Sequence, residues 1–123
     1  MTEAAEKYFN RLYPDGEFKL ASTDPEFADF FADFSCDEVV NQDDLDDRIR
    51  MMAILATLLG CQGVDEFREI LPGALNLGVT PVEVKEIVYQ ACAYLGIGRV
   101  RPFFDVVNEV LTEKEIALPL EGQ

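Results

Sequence analysis

The stretch Thr80–Leu95, TPVEVKEIVYQACAYL, carries the clearest local signal in the chain. The Thr80 hydroxyl can accept from the amide three residues on, and Glu83 can reach back to the Thr80 amide. Pro81 sits where a helix needs no amide donor. Val84, Ile87, Val88, Ala91, Cys92 and Leu95 then recur at i, i+3, i+4, i+7, i+8 and i+11, which is one face of a helix. Immediately upstream, Gly78 is placed to end a preceding helix in the left-handed conformation. That helix begins near Val64 and shares one face among Val64, Phe67, Ile70, Leu71, Ala74 and Leu75. Pro72 inside it removes an amide and crowds the Arg68 carbonyl, which predicts a kink or a split. Downstream, Gly96-Ile97-Gly98 ends the Thr80 helix, and Phe103, Val106, Val107, Val110 and Leu111 line the last one.

Further out, Asn41–Leu59 predicts a helix opening on Asp43, Asp44, Asp46 and Asp47, acids that suit the positive end of a helix dipole. The run has neither the alternation nor the glycine of a calcium loop. From Met51 to Leu59 it is apolar on every side, which predicts a central helix surrounded by others. Gly60-Cys61-Gln62-Gly63 breaks it. Thr23-Asp24-Pro25-Glu26 has the form of a second capping box, and Phe27, Phe30, Phe31 and Phe34 follow it as an expected core-facing stripe. Residues 3–12 predict a short helix, followed by a turn at Tyr13–Gly16. No segment alternates with period two. The fold class is therefore all-α, with about six helices and short connections. Residues 1–40 form an N-terminal helical extension, 41–116 a helical core, and 117–123, with Pro119, a loose tail.

Composition narrows the chemistry. With 123 residues, 49% of them apolar, the chain is long enough for one domain with one sizeable core. Ten basic against 24 acidic residues give a net charge of −14, which repels phosphate backbones and anionic lipids. Neither nucleic acid nor a membrane is an expected partner. There is no histidine, so Ser-His and Cys-His pairs and imidazole metal ligands are excluded. Cys36, Cys61 and Cys92 show no metal-ligand spacing, and no metal or cofactor is expected. Gly96-x-Gly98 lacks the third glycine and the preceding strand of a dinucleotide loop. The acidic N-terminus has no basic stretch followed by an apolar one, and the longest apolar run is half a membrane span. The odd cysteine count fits a reducing compartment, so the expected location is the cytoplasm.

Three segments carry a resemblance: Leu45–Arg50, Ala74–Glu86 (ALNLGVTPVEVKE) and Tyr94-Leu95-Gly96. Together they make Asp44–Leu111 similar to the carboxymuconolactone decarboxylase / alkylhydroperoxidase D-like family, so the 41–116 core is expected to take that helical fold. Residues 1–40 add nothing to the resemblance. It implies a homo-oligomer (dimer, trimer or hexamer) and a small-molecule substrate. It also implies a histidine where this chain has Ile70, and a second where it has Gln90. Peroxidase members would place a cysteine pair at Gly63 and Glu66 and a relay glutamate near Met51. This chain carries none of these groups.

The side chains left around the family's pocket define the candidate site. Glu66 is the candidate proton carrier. Tyr94 and Gln90, one helical turn apart, are candidates for stabilising oxyanion charge. Arg99 offers a guanidinium fork for a substrate carboxylate, with Gln62 beside the site and Arg101 as a second cation. Cys61, before a helix N-terminus, is a candidate thiolate. Three functions remain open: a decarboxylase-like protein acting on a small carboxylate or lactone, a thiol peroxidase using Cys61, and a non-catalytic oligomeric binding protein.

Overall fold

The computed structural model of the chain describes residues 1–16, 18–42 and 44–122. Among them are seven α-helices and no strand. Four form a bundle: α4 (Asp47–Gly60), α5 (Val64–Asn76), α6 (Pro81–Leu95) and α7 (Ile97–Glu113). Within it, α4 packs on α5 and α6, and α7 packs on the same two helices from the other side. Its interior is an apolar seam of Met51, Leu55 and Leu59 from α4, Phe67 and Leu71 from α5, Val84 and Val88 from α6, and Val100, Phe103, Val107 and Leu111 from α7. Phe67 and Phe103 meet edge to face, with ring centroids 5.1 Å apart. Such a pair adds about 1 kcal/mol beyond the apolar area it buries.

The expected punctuation of the bundle is present. Glu83 N–H donates to the Thr80 hydroxyl (3.1 Å), and Thr80 N–H donates to the Glu83 carboxylate (3.0 Å). Gly78 has φ +106°, and the amides of Gly78 and Val79 reach back to Leu75 O and Ala74 O. These two bonds form the Schellman closure that a left-handed residue permits. The α5 helix runs through Pro72 without splitting, because the missing amide costs one bond while the flanking turns stay packed. Its neighbour Gly73 explains why the helix is narrow there: a Cβ at this position would lie 1.8 Å from Leu12 O.

That contact is where the N-terminal segment docks. Helix α1 (Glu3–Leu12) crosses α5 at backbone distance, and Asn76 Nδ2 donates to Arg11 O (3.1 Å) beside the crossing. A four-residue helix α2 (Leu20–Thr23) leads to α3 (Pro25–Asp33), which opens at its end into a wide π-helical turn, Phe34–Glu38. In that turn Val39 N–H bonds to Phe34 O, five residues back. Phe9, Tyr13, Phe18 and Phe31 form a second aromatic cluster with centroids 4.7–5.6 Å apart.

Three expectations are corrected here. Phe27, Phe30 and Phe34 are exposed (56–63%), and the face turned inward carries Ala28 and Ala32. Only Phe31 is half-buried. Periodicity showed which phenylalanines share a face, but the small alanines on the other face let α3 approach α1 more closely. Thr23 does not cap α3: it ends α2, and its hydroxyl donates to the Asp24 carboxylate (2.6 Å). The helix read from Asn41 begins only at Asp47, with Asp46 as N-cap accepting from Ile49 N–H (2.9 Å). Asp44 lies before it, and Asp43 falls outside the described residues.

Nor is α4 surrounded on every side. Met51, Leu55 and Leu59 are buried, while Ala53, Ala56 and Thr57 face outward. Beyond α7, Ile116 and Leu120 pack against the core. No helix among the described residues is long and apolar enough to cross a membrane.

Candidate functional site

The N-terminal segment and the bundle do not close completely on each other. Between α1, the end of α3, the π-turn, α4 and α5 lies a cavity of about 520 Å³. Tyr8, Leu12 and Tyr13 line it from α1 and its end, Ile54 from α4 and Ile70 from α5; Phe31, Phe34, Val39 and Val40 come from α3 and the turn after it. Its lining is almost wholly apolar. Among the described residues lining it, Arg50 carries the single formal charge.

Local helix geometry fixes Arg50. The Asp46 cap starts α4 in register, so Arg50 and Ile54 stand one turn apart and both reach the cavity. The Arg50 side chain is 13% exposed. Its guanidinium donates to Asp47 Oδ1 (3.1 Å), Leu45 O (2.5 Å) and Val40 O (3.3 Å). The other oxygen of Asp47 accepts from Arg11 (2.5 Å), whose guanidinium lies 5.7 Å from the centre of the Tyr8 ring. One carboxylate is thus shared by two guanidiniums.

Arg50 also lies at a divide. A second, polar cleft of about 560 Å³, lined by Arg11, Asn41, Asp44 and Asp47, shares Tyr8, Val40, Gln42, Leu45 and Arg50 with the apolar cavity.

Tyr8 Oη is buried without a full hydrogen bond among the described residues, although the Arg50 guanidinium is close enough to influence it. Burial raises the Tyr8 phenol above its usual range, and Arg50 only partly offsets this. Tyr13 is raised further by burial, with Cys36, Glu66 and Glu69 adding to the effect. Burial also pushes the Cys36 thiol up, against a weaker pull from Ser35. The cavity therefore offers one fixed cation and two protonated phenols. Among the described residues that line it, none is a carboxylate or a lysine.

The six side chains singled out from sequence lie elsewhere. Cys61 caps the C-terminus of α4, exposed, with its thiol directed at Leu58 O (3.6 Å). Gln62, at φ +63°, turns its amide back to Leu59 O (2.8 Å), and Glu66 is exposed in the first turn of α5. Gln90, Tyr94 and Arg99 are exposed around the α6–α7 turn, Tyr94 at 91%. The structure gathers the six into two surface groups, and none lines the cavity. Arg99 and Arg101 make no ion pair with any described residue.

Ile70, where the resemblance expects a histidine, does line the cavity, and Met51, at the relay position, is buried. Sequence reasoning passed over Arg50, Tyr8 and Tyr13. One sign of Arg50 was available: it is the cation standing immediately before the apolar run 51–56.

Two comparisons bear on this site. A family model described as the carboxymuconolactone decarboxylase family matches residues 25–109. The match begins at Pro25, so it includes α3 and the π-turn. The 4-carboxymuconolactone decarboxylase of Acinetobacter baylyi is similar, with 29% identity over 112 residues, 91% of this chain and 81% of the relative.

Proposed function

Since the chain belongs to the carboxymuconolactone decarboxylase family, we propose that it is a decarboxylase-like protein that takes a small carboxylate or lactone into the Arg50 cavity. The observation that carries this reading is the Arg50 guanidinium, the one formal charge among the described residues of a largely apolar chamber beside Ile70. A guanidinium in such surroundings grips an anionic oxygen far more strongly than it would in water. Asp47 stays paired through Arg11 when Arg50 turns to a ligand, so binding strands no carboxylate.

The chemistry follows from the groups present. When CO2 departs, the electrons of the broken C–C bond move onto the substrate's conjugated carbonyl oxygen. Arg50 and the protonated phenols of Tyr8 and Tyr13 suit that developing charge. Arg50 accelerates the step only if it holds this oxygen more tightly than the carboxylate being lost. Glu66, with Gln62, Gln90, Tyr94 and Arg99, forms a surface set in this reading. It contributes to chemistry once a second copy of the chain encloses it in a homo-oligomer.

The test is CO2 release from a panel of enolisable carboxylates and lactones, with Arg50→Gln beside the wild type. We expect turnover of at least one compound and a loss of about 10²-fold in kcat/KM for the variant. Equal rates for the two proteins would remove Arg50 from the reaction. The competing thiol reading is favoured by the exposure of Cys61 alone. It requires peroxide consumption that Cys61→Ser abolishes, with no CO2 released.

A further inference from the structure

Charge is divided unevenly along the chain. Between Lys19 and Arg48 no basic residue occurs, and α3 carries Glu26, Asp29 and Asp33. Between Glu86 and Asp105 the reverse holds. In a chain with 24 acids this stretch contains none, and Arg99 and Arg101 are its only formal charges. The other arginines, Arg11, Arg48, Arg50 and Arg68, each pair with a carboxylate. Arg99 and Arg101 are exposed and pair with no described residue.

Both regions also leave large apolar side chains in solvent. Phe27, Phe30 and Phe34, at i, i+3 and i+7, share one exposed face, and Glu26, Asp29 and Asp33 run along its flank. Asp33 accepts from Thr2 N–H (2.7 Å), and Asp29 lies 3.8 Å from the Met1 amine, a weak exposed pair. Three such rings present on the order of 300 Å² of aromatic surface, the scale at which a patch marks an interaction site. At the α6–α7 turn Tyr94 and Ile97 project into solvent, and Arg101 follows Ile97 by one helical turn. The two faces cannot meet within one copy. Helix α3 sits on α1, outside α5, while α6 packs on α4 and α7 at the opposite corner of the bundle.

We propose that they meet between copies: the Phe27–Phe30–Phe34 face of one copy seats on Tyr94 and Ile97 of the next, with Glu26 and Asp29 facing Arg99 and Arg101. Charge selects this pairing over like with like. A two-fold joint of α3 on α3 sets acid against acid, and turn on turn sets arginine against arginine. With the two faces at opposite corners the joint is head-to-tail, and a closed assembly takes three or more copies. Phe34 also lines the Arg50 cavity, so the joint forms beside its mouth. The proposal goes beyond the reading of that cavity as a substrate site and does not depend on it.

Sedimentation velocity of the full chain tests this, with circular dichroism to confirm the fold of each variant. The wild type should sediment as three or more copies. Arg99→Glu with Arg101→Glu, and separately Glu26→Lys with Asp29→Lys, set like charges across the joint. Each pair should weaken association at least about tenfold. The chain carrying all four substitutions has opposite signs restored and should reassemble, a rescue that damage to the fold would not give. All four positions are exposed, so no core packing is disturbed. Tyr94→Ser alone, which leaves every charge in place, should weaken association severalfold.

A monomeric wild type would overturn the proposal, and one that stops at two copies would overturn the head-to-tail joint. Association unmoved by the Arg99 and Arg101 reversal, or by Tyr94→Ser, would remove the α6–α7 turn from the joint. A folded fourfold variant that stays monomeric would overturn the pairing of charges.

Discussion

The α4–α7 bundle and the segment from α1 to the π-turn are built from similar residues and end up with opposite properties. In the bundle, large side chains fill the seam: Phe67 and Phe103 are fully buried, a capping box opens α6, and the Gly78 turn closes α5. In the N-terminal segment the tight contacts are made by alanines and a backbone crossing, while three of its phenylalanines stand in solvent. The bundle is optimised for burial. The segment leaves volume unfilled against the bundle, and that volume holds the cavity. Tight packing and unfilled volume are therefore separated in space, which lets one region tolerate poor packing because the other does not.

The comparison can be broken most forcefully at the join. Gly73→Ala sets a methyl against Leu12 O, and the crossing has no flexible side chain to give way. We expect a loss of about 3 kcal/mol or more, offset only slightly by alanine's better helix propensity. Chemical denaturation followed by circular dichroism and tyrosine fluorescence would measure it. If the bundle keeps its helical signal while α1 loses hydrogen-exchange protection, the two regions are separate units. Joint unfolding would dissolve the distinction.

Inside the bundle, Thr80→Ala removes the hydroxyl half of the capping box and should cost about 1 kcal/mol by the same assay. An unchanged midpoint would mean that Pro81 and Glu83 alone hold the end of α6.

The cavity side has a pH signature of its own. Tyr13 is raised above 10.0 by burial, so below that pH both folded and unfolded chains hold the proton and stability is flat. Above it the unfolded chain releases its proton first, and stability falls as pH rises. Tyr8 and Cys36 act in the same direction, Cys36 from about pH 9.0 upward. Lys85, buried in the bundle against Asn108 and lowered by that burial, acts oppositely, gaining stability as pH climbs toward 10.5. Alkaline denaturation should thus be driven from the cavity. Tyr13→Phe should shallow its slope, and an unaltered slope would acquit Tyr13.

The smallest effect belongs to the exposed aromatics. Replacing Phe27 and Phe30 by serine should change stability by no more than about 0.5 kcal/mol each. If these rings serve contacts between copies of the chain, sedimentation velocity will show the double variant shifted toward monomer.

The sequence made the bundle legible because its signals are local. Thr80, Glu83 and Gly78 specify helix ends within three or four residues, and the Val84–Leu95 stripe specifies one face. The N-terminal segment was harder because a stripe of phenylalanines looks the same whether it faces a core or solvent. Only the docking of α3 through Ala28 and Ala32 decides between them. For the site, the resemblance led to Ile70, which does stand at the cavity. Arg50, Tyr8 and Tyr13 escaped notice because they converge from helices some 40 residues apart in sequence, and no spacing rule connects them. The six residues that were chosen share short-range spacing, and the structure leaves them on the surface.

The crossing at Gly73 has one more consequence. Ile70 lies one helical turn before it on α5, and Leu12 and Tyr13 flank it from α1, so both walls of the cavity are measured from the same backbone contact. A stop made of main chain cannot creep as side chains are exchanged. Residues along the chamber can vary to suit a different ligand while its gauge remains set by a single missing methyl group.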